Sequence, residues 1–379
     1  MRRELIIAAG PGEWRAALVD DGSAVELYVE RGDRRRAGSI HAGRVVRVAK
    51  GLDSAFVEIG DDRPGLAPRR ESRGLDAPGL DAPGLDAPGL DEGARVLVEI
   101  RREALPDKGP RLTTRLTRPI ADPGLDPPAQ LYPAPGFAAA LALALPGPPD
   151  RVVADDASIV PELRTAFPDT EIARETLLDL AAEFAAALAP SLELPAGGLV
   201  HIAETRAATM IDVDTGTPET GSAARNALAG NLEAAQAIAR HVRLRNLGGG
   251  IVVDFVGLEG KVPREQVRQA LADALAPDPA KPQCLGWTRL GHIEIVRPYR
   301  APSLCAQLGD PALTQAFAAL RAIARAQPAA RWRLTVSPRV ATALRGSAAV
   351  ALAALETRVG SAISIVEDAA ADPFTIASR

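Results

Sequence analysis

Three aspartates close short apolar runs: Asp212 and Asp214 in "TMIDVDTGTPETG" (209–221), and Asp254 in "IVVDF" (251–255). A carboxylate at the end of a core strand costs free energy unless something uses it. Alternate residues of a strand share a face, so Asp212 and Asp214 point one way while Ile211 and Val213 point the other. Two carboxylates about 7 Å apart on one face repel each other unless a cation or proton lies between them. Asp254 ends its own run in the same manner, so the three can gather hard oxygen donors at the C-terminal edge of a sheet. Mg²⁺ suits such a set because it takes one or two carboxylates, keeps waters and binds phosphate oxygens; Mn²⁺ is a natural substitute. One strand-end Asp is explained by capping a turn or helix. Three point to a metal.

Two short motifs compete for the same residues. "VDTGT" (213–217) contains the Asp-Thr-Gly-Thr string of aspartic proteases, but a single copy needs a homodimer, and neither a flap nor a second apolar-Gly signature is recognisable. "IDVDTG" approximates the Asp-x-Asp motif of haloacid-dehalogenase-like phosphatases, with Gly216 where Thr or Val is wanted and without the later Lys and paired acids. Strings of this length arise cheaply by chance.

The elements that must position these acids read as mixed α/β. "ELIIAAGPGEWRAALVDDGSAVELYVER" is a hairpin by its alternation and its Gly and Asp turns, and 38–68 holds short strands with Gly punctuation, as in a small barrel. Residues 74–93 repeat "GLDAP", a composition that builds no packed layer and predicts an expanded loop. Residues 119–149 are Pro-rich around a short helix at 137–145, and 198–215 read as a hairpin. "AARNALAGNLEAAQAIARHVRLRNL" predicts a long helix with Leu228, Leu232, Ala235, Ile238 and Val242 on one face, stopped by a glycine C-cap at 248–250.

Composition bounds the function. A hydrophobic share of 47% gives a globular chain, and an aromatic share of 3% leaves little stacking surface. The net charge of −4 means that a nucleic-acid partner would meet locally gathered basic residues. Cys284 and Cys305 form neither a disulfide framework nor a zinc spacing. No run is long and apolar enough for a signal peptide or bilayer span, so a cytoplasmic protein without membrane association is expected.

Longer context adds a family. "IDVDTGT", "GNLEAAQAIARHVRLRNLGGGIVVDF" and "LGHIEIVRPYRAPSL" resemble the catalytic core of the ribonuclease E/G family. "AGSIHAGRVVRVAKGLDSAFVEIG" and "DKGPRLTTRL" resemble its S1-type OB-fold insert, and "RWRLTVSPRVATALRG" onward its small C-terminal domain. The resemblance implies a ribonuclease-H-like subdomain in 1–36 and 151–200, the insert at 37–118, and a DNase-I-like catalytic subdomain at 201–304. A Pro-rich remnant at 119–150, a linker helix at 305–330 and a small α/β domain at 331–379 complete it. It further implies Mg²⁺-dependent endonucleolytic cleavage of single-stranded RNA in processing or decay, with 5′-phosphate and 3′-hydroxyl products. Asp212 and Asp254 match the metal-binding aspartates; Asp214 stands where the family has an Asn that orients the first Asp. Phe56 matches a base-stacking position, and Arg63, Lys108 and Arg289 match basic RNA-contacting positions.

Departures qualify the activity. Leu66 replaces a second stacking Phe. The family's 5′-end sensor should fall in 119–150 but has no counterpart there, since the Arg-Thr-Ala at 164–166 aligns elsewhere. The zinc-link motif is absent, so no structural zinc is expected, and a homodimer would form without one. These losses motivate the alternative of a weakened or inactive RNA-binding relative.

Overall fold

Alternating apolar residues build the opening meander: β1 (Arg3–Gly10), β2 (Glu13–Asp20) and β3 (Ser23–Arg31) pair antiparallel in succession. The computed structural model describes residues 2–32, 36–69, 90–104, 108–118, 120–174, 179–214, 216, 222–326, 331–371 and 373–378. By contacts the chain divides into one unit of residues 33–141 and another of 1–32 with 142–379.

The first of these is a barrel. Its strands are β4 (Ile40–Ala49), β5 (Ser54–Glu58), β6 (Gly65–Pro68), β7 (Arg95–Arg102) and β8 (Arg111–Thr113). They close in the order β4-β5-β6-β8-β7 and back to β4, an OB-like five-stranded barrel. Val45, Ala55, Val57, Ala67, Val98 and Leu112 fill the inside, so their strand neighbours face out. At Gly109 a Cβ would stand 2.1 Å from the Pro64 carbonyl oxygen, an approach that only glycine allows. Residues 120–141 join this unit because β9 (Ala129–Tyr132) adds to β4 and Arg95 grips Asp122 with two bonds of 2.6 Å. The helix α1 (Phe137–Ala144) follows. The GLDAP repeat lies outside the described residues up to position 89; Leu90, just after them, is buried in the barrel core.

In the larger unit, β10 (Arg151–Ala154), α2 (Val160–Ala166), β11 (Glu171–Arg174) and α3 (Leu180–Leu188) come next. β10 and β11 run parallel to β1 and extend the meander into a sheet of order β11-β10-β1-β2-β3. A second sheet follows in sequence as β12 (Ser191–Glu193), β13 (Leu199–Glu204), β14 (Thr209–Asp214), α4 (Ala223–Leu244), β15 (Gly249–Asp254), α5 (Lys261–Leu275), β16 (Gln283–Trp287) and β17 (Ile293–Arg297). Its order is β12-β13-β14-β15-β17-β16. Ile211, Val213, Ile251 and Val253 pack against the apolar stripes of α4 and α5. Each such side chain contributes roughly 1.5–3 kcal/mol on burial.

The chain ends with α6 (Leu304–Leu308), α7 (Pro311–Arg325), β18 (Trp332–Val336), α8 (Pro338–Arg345), α9 (Ala349–Val359), β19 (Ile363–Glu367) and β20 (Phe374–Ser378). These make a three-stranded sheet, β19-β18-β20, with a helical core of its own. No single described helix is long and apolar enough to cross a membrane.

One expectation is corrected in detail. The glycines at 248–250 are not the C-cap of α4: the helix ends at Leu244, and Asn246 takes the left-handed turn with φ 52. Gly248 and Gly249 instead make room for the Tyr299 side chain, because a Cβ at Gly248 would come within 2.6 Å of its ring and one at Gly249 within 2.8 Å of its hydroxyl. The basic end of α4 is also spent internally. Arg243 bonds Glu26 at 2.8 Å, Arg245 the Ala189 carbonyl at 2.7 Å and Arg240 the Ala24 carbonyl at 3.2 Å.

Burial on α4 has a pH consequence. Desolvation, with Arg245 and Arg240 nearby, pushes the His241 imidazole down from 6.5 to about 3. The fold therefore keeps it neutral, whereas the unfolded chain protonates it below 6.5. Its contribution to stability is complete above that value and is lost as pH falls toward 3, at about 1.4 kcal/mol per unit. His241→Gln is expected to lower the acid-unfolding midpoint, followed by far-UV circular dichroism, by roughly half a pH unit or more. An unchanged midpoint would show that other groups control acid unfolding.

Candidate functional site

Parallel pairing of β14 with β15 sets Asp212 directly opposite Asp254. Both carboxylates are exposed, on the face of the sheet opposite α4 and α5, because Ile211, Val213 and Val253 take the core face. Three further groups border the pair. His201 is the cross-strand partner of Asp212 on β13, and its Nδ1 lies 2.8 Å from the Ser191 hydroxyl. On the other side His292 Nε2 stands 3.6 Å from Asp254 Oδ2, carried by the tight turn that joins β16 to β17. Asp214 lies one step beyond, and its Oδ1 accepts the Gly216 N–H at 2.8 Å, so one oxygen shapes the turn. Two of the chain's four histidines thus flank the aspartates. Sequence reading missed both, since only the sheet order brings them together.

Asn231 is the other residue that sequence reading missed. Fully buried on the core face of α4, it donates to the Val256 carbonyl at 2.7 Å and accepts the Val256 N–H at 3.1 Å. This pair of hydrogen bonds fixes the backbone two residues after Asp254. The available signal was an amide on an otherwise apolar helix face. Asn231→Ala leaves both Val256 groups unpaired and is expected to cost about 2–3 kcal/mol, read in urea unfolding. A loss below about 0.5 kcal/mol would mean that water replaces the amide.

Among the described residues no group of three or more His, Cys, Asp and Glu converges as a ready-made metal cage. Mg²⁺ does not need one: a pair of adjacent exposed carboxylates, with waters completing an octahedron, is a sufficient protein contribution. The donor set therefore fits Mg²⁺.

The other site residues fall in two places. On the barrel, Phe56 faces outward, half-buried, between the inward Ala55 and Val57, and pairs with Leu66 across β5 and β6. Arg63 and Lys108 are exposed at the same corner, drawn together by the packing of Gly109 on the Arg63–Pro64 backbone. In the larger unit, Arg289 is exposed in the β16–β17 turn, three residues before His292.

The sequence profile of the Ribonuclease E/G family matches residues 159–300, the stretch that carries Asp212, Asp214, Asn231, Asp254 and His292. Ribonuclease G of Salmonella typhimurium (strain SL1344) is 26% identical over 473 aligned positions, covering 96% of this chain and 97% of that protein. Ribonuclease G of Escherichia coli (strain K12) aligns with the same identity and coverage. Ribonuclease E of Nostoc sp. (strain PCC 7120 / SAG 25.82 / UTEX 2576) is 41% identical over 125 residues, which are 33% of this chain and 18% of that protein. The long alignments exceed the 379 residues of this chain, so those relatives carry segments that it lacks.

Proposed function

Because the chain belongs to the ribonuclease E/G family, we propose that it is an endoribonuclease acting in RNA processing or decay, with Mg²⁺ held by Asp212 and Asp254 and single-stranded RNA as substrate. The observation that carries this reading is the in-register pairing of those two aspartates on the exposed sheet face. Bound there, the cation would supply charge stabilisation at a phosphate oxygen and a water of lowered pKa.

The chain's own residues have separate tasks in this reading. Asp212 and Asp254 supply the negative oxygens, while Asp214 holds the turn after β14 through Gly216. Asn231 keeps the backbone beyond Asp254 from drifting. The barrel holds unstacked bases, which favours single strands over duplexes. The sheet order β11-β10-β1-β2-β3, an antiparallel meander with two parallel strands added, supports a ribonuclease-H-like reading of the first subdomain. We read the six-stranded sheet as the DNase-I-like subdomain and the barrel as the S1-type insert.

The test is cleavage of a fluorescein-labelled single-stranded RNA by the purified chain, with Mg²⁺ or with EDTA. Internal cuts that require Mg²⁺ support the proposal. Tight binding without cuts would transfer the chain to the alternative of an RNA-binding relative.

A further inference from the structure

Across the outer face of the barrel, four strands line up one residue each: Arg47 on β4 pairs with Phe56, Phe56 with Leu66, and Leu66 with Arg111. All four point away from the core, with Arg47 exposed and the other three half-buried. The Arg47 guanidinium carbon lies 4.4 Å from the Phe56 ring centroid, directly over the ring.

What separates Arg47 from the other arginines stacked on rings is its hydrogen bonding. Arg15 and Arg31 lie over Phe184 and Phe317 but are held by Glu13, at 2.7 and 2.6 Å. Arg118 over Tyr132 donates to the Pro133 carbonyl, and Arg264 over Trp287 to the Leu258 carbonyl, both at 3.1 Å. Among the described residues no carboxylate or carbonyl holds Arg47. Arg47 is exposed, and among the described residues its contact with the Phe56 ring is what orders it.

We propose that Arg47 is the second tier of a stacking column: a base of single-stranded RNA lies on the guanidinium, which lies on Phe56, while its N–H edge meets the neighbouring phosphate. A guanidinium plane stacks on bases as an aromatic ring does and adds charge. In this column Arg47 supplies the surface that the aliphatic Leu66 does not, and Arg111 at the far end of the row offers a second cation to the backbone. The inference rests on the reading that this barrel binds RNA.

Affinity for a fluorescein-labelled single-stranded RNA dodecamer, measured by anisotropy in EDTA over a series of salt concentrations, separates the two. Phe56→Ala is expected to weaken binding by about tenfold. Arg47→Ala should weaken it comparably and reduce the salt slope by about one. Arg47→Lys keeps the charge and therefore the slope, yet should still lose about fivefold because an ammonium has no plane to stack. Parent-like affinity for Arg47→Lys would make the residue a mere point charge and overturn the column. Tighter binding by Arg47→Ala would overturn it too, showing that the guanidinium plugs the ring against bases. If Phe56→Ala binds like the parent, it is the RNA-binding reading of the barrel that fails.

Discussion

Asp254→Asn is expected to lower the rate of internal cleavage of single-stranded RNA by at least about a thousandfold, equivalent to roughly 4 kcal/mol of transition-state stabilisation. The substitution keeps volume and removes charge. An exposed pair of carboxylates attracts a divalent ion through two negative oxygens on neighbouring strands; an amide offers a neutral oxygen and places N–H donors where lone pairs are needed. The Asp254 side chain is 54% exposed, so its replacement should leave the folded state almost untouched. RNA affinity in EDTA should stay within about threefold, because the binding surface proposed here lies on the barrel. A variant that cuts at more than a tenth of the parent rate, with normal melting, would remove Asp254 from the metal site.

The aspartates were legible because a strand has a period of two. Acids after apolar runs at Ile211–Asp212 and Val253–Asp254 fix which face each carboxylate takes, without any knowledge of neighbours. That β14 and β15 are adjacent, parallel and aligned so that Asp212 meets Asp254 is a different kind of information. It depends on hydrogen bonding between strands separated by the whole of α4. The same applies to His201 and His292, whose proximity is a property of the sheet order alone. Asn231 was hidden because a helix pattern shows that a residue is buried but not which backbone groups it will satisfy. The triple glycine misled for a related reason. Glycine serves equally for a left-handed cap and for the close approach of a ring, and here Asn246 took the cap while Gly248 and Gly249 received Tyr299. On the barrel, the family resemblance singled out Phe56, but the row from Arg47 to Arg111 emerges only when the strands close.

Asp278→Ala is expected to destabilise the protein by about 3–5 kcal/mol, although Asp278 is remote in sequence from every residue assigned to the chemistry. Its side chain and that of Arg297 are each only 2% exposed. Arg297 donates to Asp278 at 2.7 and 3.3 Å, to the Asn246 side-chain oxygen at 2.9 Å and to the Leu247 carbonyl at 3.0 Å. Truncating Asp278 leaves a buried cation with two neutral acceptors, which do not compensate its desolvation. The loss reaches the site through the chain itself: Asn246 and Leu247 form the turn from α4 into β15, and β15 ends at Asp254. Cleavage should therefore fall along with stability, unlike the pattern for Asp254→Asn. Urea unfolding supplies the first number and a companion variant supplies the control. Asp278→Leu combined with Arg297→Met removes both charges and should recover much of the loss, since replacing a buried pair with apolar groups is far milder than breaking it. A double variant as unstable as Asp278→Ala would assign the cost to the turn that Asp278 caps through the Ala280 N–H at 2.8 Å, and not to the stranded guanidinium.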